Sequence, residues 1–315
     1  MSFMRFLVNL VLALILIALS GGVLALGYGC AVAGSWDVVG LDTGQAEGDW
    51  LWLDGEPFYY QFWGVDEGKA VVLVHGLQVE GSKTWEPTAR GLSRAGIRVL
   101  TVDLRGFGRS TRTGEDAEFA LEAQADLLAR IIHQLGLADA MLVGHGWGGA
   151  VALRVAEDQP QLVDRVALLY PEGMADERLV PGRLLRLPWV GSALAWGAYA
   201  GGPLWAHHQR QGFLDPTLMP LGYVSDMRLL SRVMGTLDAW TRIGGLAGDA
   251  LYGDVARPDL PVLAIRSAAS GEELRPQWLA EVPEEDIVTL DAGRWLHIEQ
   301  ADAVNALLAN FYQEP

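Results

Sequence analysis

Residues 140–158, AMLVGHGWGGAVALRVAED, have the pattern of a buried strand running into a helix through a glycine-rich turn. In the G-x-S-x-G version of that turn, a serine or comparable nucleophile occupies the tightest point, so that its reactive atom stands clear of the sheet and can attack an electrophilic carbon. Gly146 holds that position here. Glycine has no atom to attack with, and it relieves the strain that a side chain suffers at the positive φ expected there. The histidines that could serve as bases are scattered: His75 and His145 flank glycine turns and read as packing groups, while His207 and His208 lack the spacing of a metal site. The single cysteine, Cys30, excludes an intrachain disulfide and a cysteine-based metal cluster.

The elements that would have to position these groups are legible on either side. Residues 49–65 alternate around Asp54-Gly55 as a hairpin does. AVVLVHG (70–76) and IRVLTVDLRGFGRS (97–110) are buried-strand runs that leave into loops, and a helix is expected between them from about Thr84 to Ala95. AEFALEAQADLLARIIHQLG (117–136) has apolar residues at helical spacing. After VDRVALLY (163–170) the alternation of strand and helix stops, and it resumes at PVLAIRS (261–267), followed by a helix near 274–281, the strand DIVTLD (286–291) and a last helix over about 302–312. Such alternation predicts an α/β fold with a mostly parallel sheet covered on both faces, interrupted by a helical insertion over the strand ends where ligands bind.

With the motifs in this order, the chain resembles the α/β-hydrolase family, in particular its cap-bearing epoxide-hydrolase and esterase-like branch. VLVHG (72–76) is similar to the family's strand and oxyanion loop, DLRGFGRS (103–110) to the loop after the next strand, and GHGWGG (144–149) to its nucleophile elbow. PVLAIRS and AGRWLHIEQADAV (292–304) resemble the segments that deliver the acid and the histidine. The implied organisation is a core over 49–173 and 257–315, a helical cap over 174–256, and a linker over 34–48. The resemblance also implies a pocket and oxyanion loop at His75, Gly76, Leu77 and Trp147.

Carried over position by position, the triad is replaced. Gly146 stands for the nucleophile and Ser270 for the acid. In the pattern G-H-x-x-x-x-E the residue before Glu299 by five is Arg294, which follows Gly293 and cannot serve as a general base. His297 matches a second histidine without catalytic duty, and Glu172 an alternative acid position; these two are the fallback pair, with Glu272 a further nearby carboxylate. No catalytic residue, cofactor or metal is therefore expected.

From Phe6 to Ala33 no residue is charged, a run long enough to span a bilayer as a helix. Residues 1–33 are read as an N-terminal transmembrane helix; the competing reading is a signal peptide cleaved after Ala31-Val32-Ala33. Arg5 precedes the span and Asp37, Asp42, Glu47 and Asp49 follow it, which puts a single-pass globular domain on the non-cytoplasmic side, periplasmic or extracellular. The net charge is −16, and such an acidic domain repels phosphate backbones, so no nucleic-acid partner is expected.

Three functions compete at this level. The first is a catalytically degenerate subunit that docks a membrane protein through the uncharged stretch 187–209, with Trp189, Trp196 and Trp205 as contact residues. The second is a binding module that keeps the pocket for an apolar small molecule, and the third an atypical hydrolase or lyase in which His297 and Glu172 act on water. The anchor reading predicts that the chain keeps its N-terminus at Met1 or Ser2 and resists alkaline carbonate extraction from membranes. A mature N-terminus at Gly34, read by intact mass, or full release by carbonate, overturns it.

Overall fold

The computed structural model describes residues 2–42, 46–174, 179–253, 255–270 and 277–314, and the side chains of 2–10, 12–15, 17–18 and 277–278 lie outside that description. Its centre is an 8-stranded sheet of β1 (Asp49–Leu53), β2 (Glu56–Trp63), β3 (Ala70–Val74), β4 (Arg98–Val102), β5 (Ala140–His145), β6 (Val163–Leu169), β7 (Val262–Ser267) and β8 (Ile287–Leu290). The strand order is β1-β2-β4-β3-β5-β6-β7-β8; β1 and β2 are antiparallel additions at one edge, and all pairings from β4 to β8 are parallel. Asp54 (φ 53°) and Gly55 (φ 81°) close the β1–β2 hairpin with two left-handed residues, the turn that matches strand twist.

The strands in the middle of the sheet are apolar on both faces because both faces are covered. Ala70, Val72 and Val74 of β3 join one core with Ala140 and Leu142 of β5; Val71 and Leu73 join the other with Met141 and Val143. The first face carries α3 (Leu121–Gln134) and α4 (Trp147–Asp158), and the second carries α2 (Glu86–Arg94), α11 (Leu296–Glu299) and α12 (Ala301–Gln313). The expected helix over 84–95 divides into a 3-10 turn over Gly81–Trp85 and α2, with Pro87 near the helix start where its missing N–H is harmless. The helix expected near 274–281 is described only at Gln277–Glu281, as a 3-10 turn; 271–276, including Glu272, lie outside the described residues.

Between β6 and β7 the described residues form the cap: α5 (Gly182–Leu185), α6 (Val190–Ala198), α7 (Pro203–Gln211), α8 (Tyr223–Leu230), α9 (Thr236–Gly245) and α10 (Gly248–Tyr252). The segment ahead of β1 is not a loose tether where it is described. The Val38 and Val39 amides donate to the Arg232 carbonyl, the Trp36 indole to the Ser231 carbonyl at 3.0 Å, and Asp37 accepts from the Leu237 amide. The helix α1 (Ser2–Ala33) leads directly into it and packs on α6, where Gly29 lies against Ala193 and Tyr28 meets the Trp196 ring edge-on at 6.1 Å. Among the described residues no helix is long and apolar enough to cross a membrane, so the spanning reading rests on the sequence alone.

Tight backbone approach fixes where α4 meets the sheet. A Cβ on Gly148 would stand 2.3 Å from the His75 carbonyl oxygen and 2.5 Å from that of Val74; one on Gly144 would stand 2.4 Å from the Cα of Gly149. Neither obstacle is a movable side chain. Gly148→Ala should therefore lose about 3 kcal/mol or fail to fold. Gly197→Ala, in α6 with nothing within 4 Å of the added methyl, should hold or gain roughly 0.5 kcal/mol in thermal unfolding. Equal stabilities for the two variants would contradict this packing.

Candidate functional site

The turn from β5 into α4 is a tight strand-to-helix elbow with Gly146 at its sharpest point. Gly146 has φ 49° and ψ −123°, a conformation unfavourable for any residue with a side chain. Space is not the obstacle: a Cβ there would come no closer than 3.3 Å to any neighbour, the Gly173 carbonyl oxygen. Above the turn is a cavity in which the centre of a water-sized molecule has about 70 Å³ to move. Its wall includes Leu77, Gly146 and Trp147 from the strand ends, Trp205, His208 and Gln209 from α7, and Arg294 and Trp295 from the loop before α11.

The expected triad positions do not converge. Arg294 lines the cavity, its guanidinium over the Trp295 ring at 4.9 Å and bonded to both Nε2 and the carbonyl oxygen of His208. Ser270 is half-buried and uses its amide to close a turn on the Ser267 carbonyl; it is not part of the cavity wall. Of the fallback pair, Glu172 is fully buried and bonds Arg266 at 2.6 Å, tying the loop after β6 to β7. His297 is fully buried against Trp85, with ring centroids 4.6 Å apart, and neither ring nitrogen has a well-formed partner among the described residues. Neither Glu172 nor His297 lines the cavity, and burial, with His145 next in effect, holds the His297 imidazole well below its usual range.

Burial lowers the pKa of His75, His145 and His208 as well. His75 accepts from the Leu104 amide at Nε2 while Nδ1 lies 2.7 Å from the Gly76 carbonyl oxygen, an arrangement that clamps the loop after β3 to the loop after β4. At His145, Nε2 faces the Arg294 carbonyl oxygen at 2.9 Å and Nδ1 faces the Gln78 side-chain amide at 3.3 Å, which makes Nε2 the protonated nitrogen. Its ring is stacked between Tyr170 and Trp295, and burial, with the Arg294 charge adding, pushes it down to about 4. His208 is driven down to about 3 by burial and by Arg294.

Two residues near the cavity were not singled out by sequence reasoning. Gln209 lines it and donates to Glu80 Oε1 at 2.9 Å; Glu80 lies behind, fully buried, with Tyr223 close by. Glu80 Oε2 and the Tyr223 hydroxyl have no partner among the described residues. Glu80 follows the oxyanion-like loop by four positions and Gln209 follows His208 directly, so the nearby motifs marked both neighbourhoods without marking either residue.

Three tryptophans of the cap separate by burial. Trp196 (9% exposed) turns inward between Tyr28 and Trp36, and Trp205 (3%) faces the cavity, so an exposed three-indole contact surface is corrected to one: Trp189, 84% exposed at the start of α6.

Burial pushes Glu80 up to about 7, against the opposing pull of Gln209 and the Arg294 charge. A carboxyl raised above its unfolded value of 4.5 contributes stability that is fully present below that value and is lost as pH rises through about 7. Glu80→Gln removes this loss. The variant's Tm relative to the parent should therefore become more favourable from pH 5 to pH 8, by roughly 5 °C for a change on the order of 2–3 kcal/mol. Because the neutral histidines are common to both proteins, their pH dependence cancels in the difference, and a difference that is flat or of opposite slope overturns the assignment.

Comparison with known proteins agrees with this geometry. A family model described as alpha/beta hydrolase fold matches residues 69–301. Bifunctional epoxide hydrolase 2 of Sus scrofa is 37% identical over 102 residues, 32% of this chain and 18% of that protein. The chain thus matches about a fifth of that relative's length. The enol-lactonase from Burkholderia xenovorans superposes with a TM-score of 0.63 at 21% identity, covering 84% of this chain and 100% of the other. The epoxide hydrolase VrEH1 of Vigna radiata gives a TM-score of 0.66 at 17% identity, covering 86% and 99%. At these identities the structures speak to the fold, and the matched family model spans most of the sequence. This chain belongs to the α/β-hydrolase fold family.

Proposed function

We propose that the chain is a membrane-anchored, catalytically degenerate member of its family whose remnant cavity binds a small molecule without hydrolysing it. The observation that carries this reading is the elbow itself: Gly146 retains the backbone conformation of a nucleophile turn, with room for a side chain that is not there. The base position holds Arg294, the acid position Ser270 is not part of the cavity wall, and the two histidines nearest the elbow, His75 and His145, are tied to backbone carbonyls. Groups that act as a unit lose nearly all their effect when one is missing, and here all three are replaced.

A second reading is favoured by Trp189 alone. Its exposed indole lies where α1 meets the cap, with the Cys30 thiol on its carbonyl oxygen at 3.6 Å, a position suited to contact with a membrane protein beside the anchor. The small-molecule reading takes precedence because Trp205 contributes to the cavity and Trp196 to the packing beneath the cap.

The test is chemical. The parent protein should show no labelling by a fluorophosphonate probe, and Gly146→Ser should hydrolyse p-nitrophenyl acetate no faster than the buffer control. Turnover by either protein, or covalent labelling mapped to residues 144–149 of the parent, would return the chain to the hydrolases.

A further inference from the structure

We infer that the cap rests on the bilayer beside the N-terminal helix, with the Trp189 indole and the apolar flank of α6 lodged at the lipid headgroup level. This rests on the membrane-anchored reading and specifies how the domain sits on the membrane: the exposed Trp189 face meets lipid.

Among the described residues, α1 meets the domain near its C-terminal end. From Val11 to Tyr28 each one whose burial is described is exposed, and Gly29, against Ala193, is the first that is buried. The uncharged run that begins at Phe6 is about 23 residues long when it reaches Tyr28, which is about 34 Å of helix against the roughly 30 Å hydrocarbon core of a bilayer. The first contact with the domain therefore falls at the headgroup level.

At that level α6 crosses the helix. Cys30 donates its thiol to the Trp189 carbonyl oxygen at 3.6 Å, Gly29 meets Ala193, and Tyr28 meets Trp196. Tyr28, Gly29 and Cys30 thus accompany about 10 Å of α6, so α6 lies across α1 at its exit and not along it. With α1 spanning, α6 runs close to the membrane plane. Its flank is apolar: Val190 and Leu194, one turn apart and half-buried, follow Trp189, and the exposed Leu184 and Leu187 precede it.

The indole itself points the same way. Trp189 is 84% exposed on a left-handed backbone (φ 60°), a conformation unfavourable for any residue with a side chain. In water the exposure and the strain are both unfavourable; at the headgroup level, apolar on one side and wet on the other, tryptophan is enriched. Lipid is favoured over a protein by continuity. Leu26 and Val23 lie one and two turns before Cys30 on the same face of α1, and both are exposed, so the medium that covers them reaches Trp189 as well.

Charge does not decide the contact. Residues 179–214 contain no aspartate or glutamate, in a chain of net charge −16. Two arginines of the groove beside Trp189 are engaged within the domain, Arg186 with Asp116 at 3.0 Å and Arg242 with Asp238 at 3.0 Å. A zwitterionic bilayer is therefore sufficient.

The experiment places the full chain, labelled with fluorotryptophan, in phosphatidylcholine nanodiscs and reads fluorine NMR spectra. Trp189→Phe and Trp52→Phe assign two signals; Trp52, 65% exposed on β1, is the reference for an indole in water. Phosphatidylcholine carrying a spin label near its headgroup should broaden the Trp189 signal several-fold more than the Trp52 signal. A water-soluble gadolinium chelate should do the reverse. Replacing part of the lipid by phosphatidylglycerol should change neither result, and a Trp189 contact that forms only with the anionic lipid overturns the apolar assignment. Broadening of Trp189 by the chelate and not by the lipid label overturns the proposal, while resistance of the same chain to alkaline carbonate keeps the anchor. Shielding of Trp189 from both agents assigns the face to a second copy in the disc and overturns the lipid contact. Release of the chain by carbonate removes the anchor and the proposal together.

Discussion

The backbone contact between α4 and the ends of β3 and β5 is the constraint on which the rest of this molecule depends. With Gly148 set against the Val74 and His75 carbonyls and Gly144 against Gly149, the helix start is pressed onto the sheet at a distance that only missing side chains permit. The consequence is positional. The Gly146 turn, the start of α4 and the loop after β3 are brought together, and all three contribute to the cavity wall. The contact is made by backbone and missing side chains alone, so it constrains the scaffold independently of whatever side chains are set on it.

Around the elbow the side chains form an aromatic and imidazole stack with Arg294 at its edge. His145 lies between Tyr170 and Trp295 at centroid distances of 5.9 and 5.5 Å, and His297 packs on Trp85 beneath it. Rings held in this way contribute packing energy, and burial keeps the imidazoles uncharged. The Arg294 charge acts on Glu80, which burial pushes up to about 7. A base at this position must lose and regain a proton; an arginine keeps its charge and can only attract.

The strands were readable from the sequence because their physics is local: continuous apolar runs such as 70–74 and 140–143 mark two-sided burial, and Asp54-Gly55 marks its turn without reference to anything distant. The elbow was readable for the same reason, as glycines at fixed spacing between a strand and a helix. Glu80 and Gln209 were not, since their partnership joins residues 129 apart and neither has a local pattern. The cap tryptophans show the limit from the other side. Trp189, Trp196 and Trp205 share one uncharged stretch, yet helix phase and the docking of α1 send one to solvent and two inward. Hydrophobicity alone does not say which way a side chain faces when an element from the far end of the chain supplies the cover.

That cover has a structural meaning. Because α1 is seated on α6 through Gly29 and Ala193, and residues 36–39 are laced to 231–237, the N-terminal helix and the cap are packed as one unit. The cover over Trp196 is therefore shared between two ends of the chain, and neither the cap nor the N-terminal helix buries that indole by itself.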